Sequence, residues 1–312
     1  MHKLLLCLFA CGLPASDAQT LAGVIDTHAH CDPDSMARSI DGIALAKLAQ
    51  ARGLRGVVLK NHFESTAGMA WLARQQVSGI EVFGGIALNR PVGGINPAAV
   101  DQMARLKGGC GRIVWMPTFD AENQVRSSKE SRPFVSISRN GRLLPEVNEV
   151  LTLMARYKLA LATGHSSAQE NLLLIREAKA RGVQRIVVTH PISPPVEMSL
   201  AQMKEAAQLG AFIEFCYNSL LGANQASVAQ AYTAAIRGVG PEHCILSSDL
   251  GQAGNPLHPD GLLAYFRILR EQGFSAGQID RMAKVNPATL LGLPETRPAA
   301  SKPSGGATRT PR

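Results

Sequence analysis

Eight short apolar runs, each followed by a segment of helical periodicity, constrain this chain more than any other feature. They fall at residues 24–30, 56–62, 80–88, 112–117, 159–165, 185–190, 211–217 and 244–249. Each is apolar along its length instead of alternating, which is the pattern of parallel strands covered on both faces. Eight strand-helix units in series predict a closed (β/α)8 TIM barrel, with any site at the C-terminal ends of the strands. The competing architecture is a doubly wound open sheet, which would place a Gly-rich phosphate loop after the first strand; residues 24–30 lead into none. A length of 312 residues suits one such barrel better than two domains.

Polar groups gather where these runs end. The first closes on His28 and His30, the second on Lys60 and His62, the fifth on His165, the sixth on His190 and the eighth on Asp249. Residues two apart in a strand share a face, so His28 and His30 stand side by side. A lone His-x-His is weak, but five of the eight histidines converging on one barrel face are hard to attribute to packing. Buried imidazoles without a metal would leave ring nitrogens unpaired. Neutral imidazoles with a carboxylate suit zinc or a similar divalent ion. Asp26 suggests a hydrogen bond to backbone or support for a ligand.

The motifs Asp26-Thr27-His28-Ala29-His30, Thr163-Gly164-His165, Val188-Thr189-His190-Pro191, Ser247-Ser248-Asp249 and Asn286-Pro287-Ala288 together resemble the amidohydrolase superfamily of metal-dependent hydrolases. Within it, the chain looks most like an uncharacterised branch of unknown function. The resemblance implies a metal site of His28, His30, His165, His190 and Asp249, holding one or two divalent ions, zinc first and manganese among the alternatives. It further implies that Asp249 takes the proton from a metal-activated water. Binuclear members commonly bridge their metals with a carboxylated lysine on the fourth strand, and Ile113-Val114-Trp115-Met116-Pro117 has neither lysine nor glutamate.

Lys60, counted with Asp249 among the catalytic candidates, has three readings: a relocated bridge, a grip on an anionic substrate, or a buried lysine paired with a carboxylate. His62 and Glu214 are metal or substrate candidates, with Glu214 expected to pair with Lys60 or His62. The activity expected is cleavage of an amide, lactone or other ester bond. A decarboxylase of the same superfamily and a phosphoesterase are the alternatives.

Residues 118–142 interrupt the strand-helix rhythm. Asn140-Gly141 predicts a small hairpin, and the length suggests a lid or substrate loop as much as a plain insertion. With Arg126, Lys129, Arg132, Arg139 and Arg142 the segment is basic, which together with Lys60 hints at a small anionic substrate.

Both ends of the chain differ from the middle. A charged start, an apolar run at 4–13 and Pro14-Ala15-Ser16-Asp17-Ala18 predict a signal peptide over 1–18 and an exported, periplasmic protein; cleavage as a lipoprotein before Cys11 and a cytoplasmic location rank lower. The barrel is expected over 19–295 and a disordered basic tail over 296–312. That tail supplies four positive charges toward the net +8, through Arg297, Lys302, Arg309 and Arg312. The other basic residues are scattered without interleaved aromatics, which argues against nucleic acid. No run is long enough to span a membrane. Cys31, Cys110, Cys216 and Cys244 show no Cys-x-x-Cys spacing. Cys216 and Cys244 are expected as buried thiols, Cys31 is a candidate soft ligand, and disulfide pairing and oligomeric state are left open.

Overall fold

The computed structural model describes residues 20–294. The expected signal segment at 1–18 and tail at 296–312 lie outside those residues. The strands are β1 (Ile25–His30), β2 (Gly56–Lys60), β3 (Glu81–Ala87), β4 (Gly111–Trp115), the hairpin β5 (Ser138–Arg139) and β6 (Arg142–Leu143), β7 (Ala160–Ala162), β8 (Arg185–Val188), β9 (Phe212–Cys216) and β10 (Cys244–Ser247). The helices are α1 (Gly42–Ala51), α2 (Ala67–Gln76), α3 (Pro97–Arg105), α4 (Glu122–Ser127), α5 (Pro145–Tyr157), α6 (Ala168–Ala180), α7 (Leu200–Gln208), α8 (Gln225–Val239), α9 (His258–Glu271), α10 (Ala276–Asp280) and α11 (Asn286–Leu291).

All strands except the hairpin form one parallel eight-stranded sheet in chain order. It closes between its first and last members. The Asp249 amide donates to the His28 carbonyl and the His30 amide to that of Leu250, both at 2.8 Å, and Ala29 bridges Leu250 in parallel. The (β/α)8 barrel is therefore present.

Two apolar layers hold it together. The outer layer lies between sheet and helices and includes Leu45, Leu59, Val114, Leu161, Ile213 and Leu262. The inner layer fills the barrel with Ile25, Val58, Phe83, Ile113, Trp115, Val187 and Ile245, plugged from below by Leu290 and Leu291 of α11. Each fully buried Leu, Ile or Val contributes about 1.5–3 kcal/mol. Serine caps set several helix starts: Ser167 with Glu170 and Ser199 with Gln202 form reciprocal pairs that satisfy end amides of α6 and α7.

The apolar spacing of Ile40, Ile43, Ala44 and Leu48 predicts a helix over 35–52, but α1 starts only at Gly42. Asp41 Oδ1 accepts from the amides of Ile43 and Ala44, fixing the helix origin there. Residues 31–41 are instead a loop over the barrel mouth. The predicted turn at Asn140-Gly141 is found between β5 and β6, with both residues at positive φ, and the same segment contains α4, which the polar composition had hidden. Cys31, Cys110, Cys216 and Cys244 are all free and buried.

Candidate metal centre

A bulge in β1 aims the site. The pairing of β1 with β2 shifts between Asp26 and Ala29, so Ile25 packs inside the barrel while Ala29 packs outside and His28 and His30 face the mouth. Strict alternation would have set Ile25 and His28 on opposite faces. Asp26 is fully buried outside, where its Oδ1 accepts from the amides of His28 and Ser248 at 3.3 and 3.0 Å. This is the backbone hydrogen bond expected of it, and it ties the two ends of the closing seam.

His28 Nε2 and His30 Nε2 lie 3.0 and 3.1 Å from the same oxygen, Asp249 Oδ1. Donor atoms of these three residues fall within 4.8 Å of one another. His165 and His190 complete the ring, their imidazoles 4.9 Å apart, with His190 stacked 6.2 Å from His28. His62 stacks on His30 at 4.8 Å and on Phe119 at 4.0 Å, and its Nδ1 meets Thr118 Oγ1 at 2.8 Å. All five histidines and Asp249 thus meet at one face.

Backbone conformation at the strand ends supports this convergence. His190 and Asp249 have φ of 25° and 50°, a region where non-glycine residues are costly and concentrated at functional positions. Gly164, at φ 63°, passes so close to Met116 that a Cβ would stand 2.3 Å from its carbonyl oxygen. That approach lets the His165 amide reach the Pro117 carbonyl at 2.9 Å.

Glu214 does not pair with Lys60 or His62. It sits behind His28, with Oε1 and Oε2 3.3 and 3.2 Å from Nδ1 and a hydrogen bond from Ser247 at 2.8 Å. The reason is strand order: β9 is separated from β1 by β10 alone, and β2 lies one strand further. Cys216, absent from the sequence-derived candidates, lies 3.9 Å from the same Nδ1. Cys31, by contrast, belongs to the outer core; burial pushes its thiol up to about 12, which disfavours a ligating thiolate.

Lys60 is fully buried, its Nζ 2.8 Å from His28 Nε2 and 5.4 Å from the Trp115 ring centroid. Burial lowers its pKa against the pull of Asp249 and Glu214. Burial also lowers His28, but Asp249 and Glu214 overcome it and raise the ring to about 9. Burial prevails at His30, lowered to about 3. Asp249 is held well below the usual carboxylate range, its desolvation outweighed by His28 and His30.

These contacts fit a cation. With Glu214 taking the Nδ1 hydrogen, His28 Nε2 is left between Asp249 Oδ1 and Lys60 Nζ, where a proton, the Lys60 ammonium or a metal ion can hold nitrogen and carboxylate oxygen together. His190 Nδ1 and His30 Nδ1 are buried without a partner, and His165 Nδ1 is engaged by Gln124 at 2.9 Å, leaving Nε2 for the pocket. The donor set, imidazole nitrogens and a carboxylate, suits a divalent metal ion.

The mouth holds a pocket of about 280 Å³ lined by His30, Lys60, His62, His165, His190 and Asp249 together with Arg38, Phe119, Gln124 and Asn218. The basic residues of 118–142 are not among its walls. Arg132 is pinned by Asp120 and Glu130, and Arg126 by Glu122; Arg126 and Arg139 border a separate outer groove. What that segment sends to the pocket is Phe119 and Gln124. Arg38 reaches the pocket from the loop before α1, and His258, at the start of α9, is buried with Nε2 3.0 Å from the His30 carbonyl.

A family model described as a family of unknown function (DUF6282) matches residues 23–214. No curated protein matches the chain. Among solved structures, a lactonase template used to engineer organophosphate hydrolysis is similar at TM-score 0.59 and 18% identity, over 89% of this chain and 98% of that one. The organophosphorus hydrolase from Deinococcus radiodurans gives 0.58 and 17%, over 91% and 100%. A mutant of the PTE-like lactonase from the same organism gives 0.58 and 17%, over 89% and 98%. Likeness at these identities concerns the fold.

Proposed function

From the premise that this chain belongs to the DUF6282 family, we propose that it is a metal-dependent hydrolase of the amidohydrolase superfamily, cleaving an ester, lactone or amide. The observation that carries this is the meeting of His28 and His30 Nε2 at one oxygen of Asp249, at the open mouth of a parallel barrel and facing a pocket of substrate size. The names of the similar structures, organophosphorus hydrolase and lactonase, support bond cleavage by water at an ester-like centre.

His28, His30, His165, His190 and Asp249 would hold one divalent ion, which supplies a water acidic enough to ionise near neutral pH and polarises the scissile carbonyl. Asp249 accepts the proton of the attacking water and returns it to the leaving group, a role suited to a carboxylate kept ionised by its neighbours. Lys60, beside its contact with His28 Nε2, offers a donor hydrogen at the floor of the pocket to an oxygen that gains negative charge. Phe119, backed by His62, forms a flat wall for the substrate body. The apolar run at 4–13 and the small residues ending at Ala18 support export as part of this proposal.

The experiment is hydrolysis of a panel of lactones, carboxylic esters and phosphotriesters by the full chain loaded with zinc or manganese. Turnover that chelation abolishes and Asp249→Asn lowers by at least 100-fold is the expected result. No turnover in any class, or carbon dioxide release from aromatic acids instead, would move the assignment to another chemistry.

A further inference from the structure

Arg38 is a charged side chain built into the pocket wall and used by nothing described so far. Its side chain is 2% exposed, and it pairs with Asp34, whose side chain is fully buried. Both Nε and Nη2 lie 2.7 Å from the single oxygen Asp34 Oδ2, and Nη2 also meets the Met36 sulfur. Nη1 has no acceptor among the described residues. A guanidinium offers five N–H groups in a fixed fork, and with Nε and Nη2 turned to Asp34 the Nη1 side is left open to the pocket, where a ligand can take it.

The backbone around Arg38 is rigidly placed. Arg38 bridges Gln252 in antiparallel fashion, and the Ser39 amide donates to the Gly251 carbonyl at 2.9 Å. The loop before α1 is thus stitched to the loop after β10, which carries Asp249. Gly251, at φ 122°, permits this approach, since a Cβ there would stand 2.1 Å from the His30 carbonyl oxygen.

The neighbouring polar groups are turned the same way. Asn255 donates to Asn218 Oδ1 at 3.1 Å, so Asn218 presents its NH₂ to the pocket. Ser193 and Ser219, on the same wall, share one hydrogen bond at 2.9 Å. This wall therefore offers two donors, a guanidinium nitrogen and an amide NH₂. Such a set answers a carboxylate.

We propose that the acyl part of the substrate carries a carboxylate, bound by Arg38 in the pocket that the metal ligands line. This rests on the hydrolase reading and names its substrate class. Arg38 then sets specificity for anionic over neutral esters without touching the bond that breaks.

The test uses the full zinc-loaded chain and two chromogenic esters of equal acyl length, 4-nitrophenyl hexanoate and the mono-4-nitrophenyl ester of adipic acid. The unaltered protein is expected to favour the adipate ester in kcat/KM. Arg38→Met is expected to lower that ratio about 10- to 100-fold, mainly through KM. Arg38→Lys keeps a charge for Asp34, and with it the fold, but has no second nitrogen for the pocket, so it is expected to lose most of the ratio as well. Equal ratios in all three proteins, or a native preference for hexanoate, overturns the proposal. If neither ester is cleaved, the wider substrate panel decides the hydrolase reading, and calorimetric titration with adipate against adipamide decides the subsite alone. Adipate binding weakened tenfold or more by Arg38→Met upholds it; binding equal in both proteins, or absent from both, overturns it.

Discussion

Glu214 reaches Nδ1 of His28 at 3.2 Å from a strand two places round the barrel. A carboxylate on the far nitrogen fixes the ring's tautomer and orientation and makes the near nitrogen a better metal ligand. Glu214→Ala is therefore expected to weaken metal binding about 10- to 100-fold, read by competition with a chromogenic chelator. Glu214→Gln, which can still accept the Nδ1 hydrogen, should recover part of that loss. Chelator competition that is unchanged in both variants would reduce Glu214 to a packing role.

Lys60 Nζ stands 2.8 Å from His28 Nε2, so a carboxyl group added to that nitrogen would have to displace the imidazole. We expect Lys60 to remain an amine and the protein to hold one metal ion per chain. Plasma mass spectrometry should find that content unchanged in Lys60→Met, while kcat/KM falls about tenfold or more with the loss of a charge-assisted donor. A content of two that drops to one in Lys60→Met would give Lys60 the bridging role.

The barrel and its ring of histidines were legible because both depend on short-range pattern. Apolar runs separated by helical periods name the strands, and polar residues at their ends name the face. Partnerships that cross the closed barrel were not legible. Glu214 meets His28 because β10 joins β1, a fact no local spacing encodes. The bulge after Asp26 reversed the parity that would be counted through Ile25. Arg38 falls within the helical periodicity that begins at residue 35 because Asp41 could have been an interior residue as easily as a cap; only the observed side-chain bonds decide. His258, in a loop by its sequence, became part of the site's support through α9 packing under His30.

Gly164 is a local position with a global consequence. Its φ of 63° and the 2.3 Å separation from Met116 oxygen that a Cβ would suffer predict that Gly164→Ala lowers unfolding free energy by roughly 2–4 kcal/mol. His165 should shift with it and metal affinity should fall. Gly68 is the contrasting case, inside α2 with nothing within 4 Å of an added Cβ, so Gly68→Ala should stabilise by about 0.5–1 kcal/mol. Urea unfolding of the two variants checks both signs at once, and equal midpoints would refute the steric account.

His258 gives a pH dependence whose sign can be worked out. Burial lowers it from 6.5 to about 4, against hydrogen bonds to the His30 and Leu250 carbonyls that raise it. The folded protein thus keeps the ring neutral, while the unfolded chain takes up a proton once pH drops below 6.5. Its contribution is fully present above that value and is lost as pH falls from 6.5 toward 4, at about 1.4 kcal/mol per pH unit for one proton. A nearby metal cation would push the ring the same way, so loading does not reverse the sign. His258→Gln can still donate to the His30 carbonyl and has nothing to titrate, so its acid limb should be flatter. The quantity to measure is the difference in unfolding free energy between the two proteins at pH 7, 6, 5 and 4. It should change steadily across that window and level off below it, and a difference that is constant throughout would mean that another group governs the acid limb.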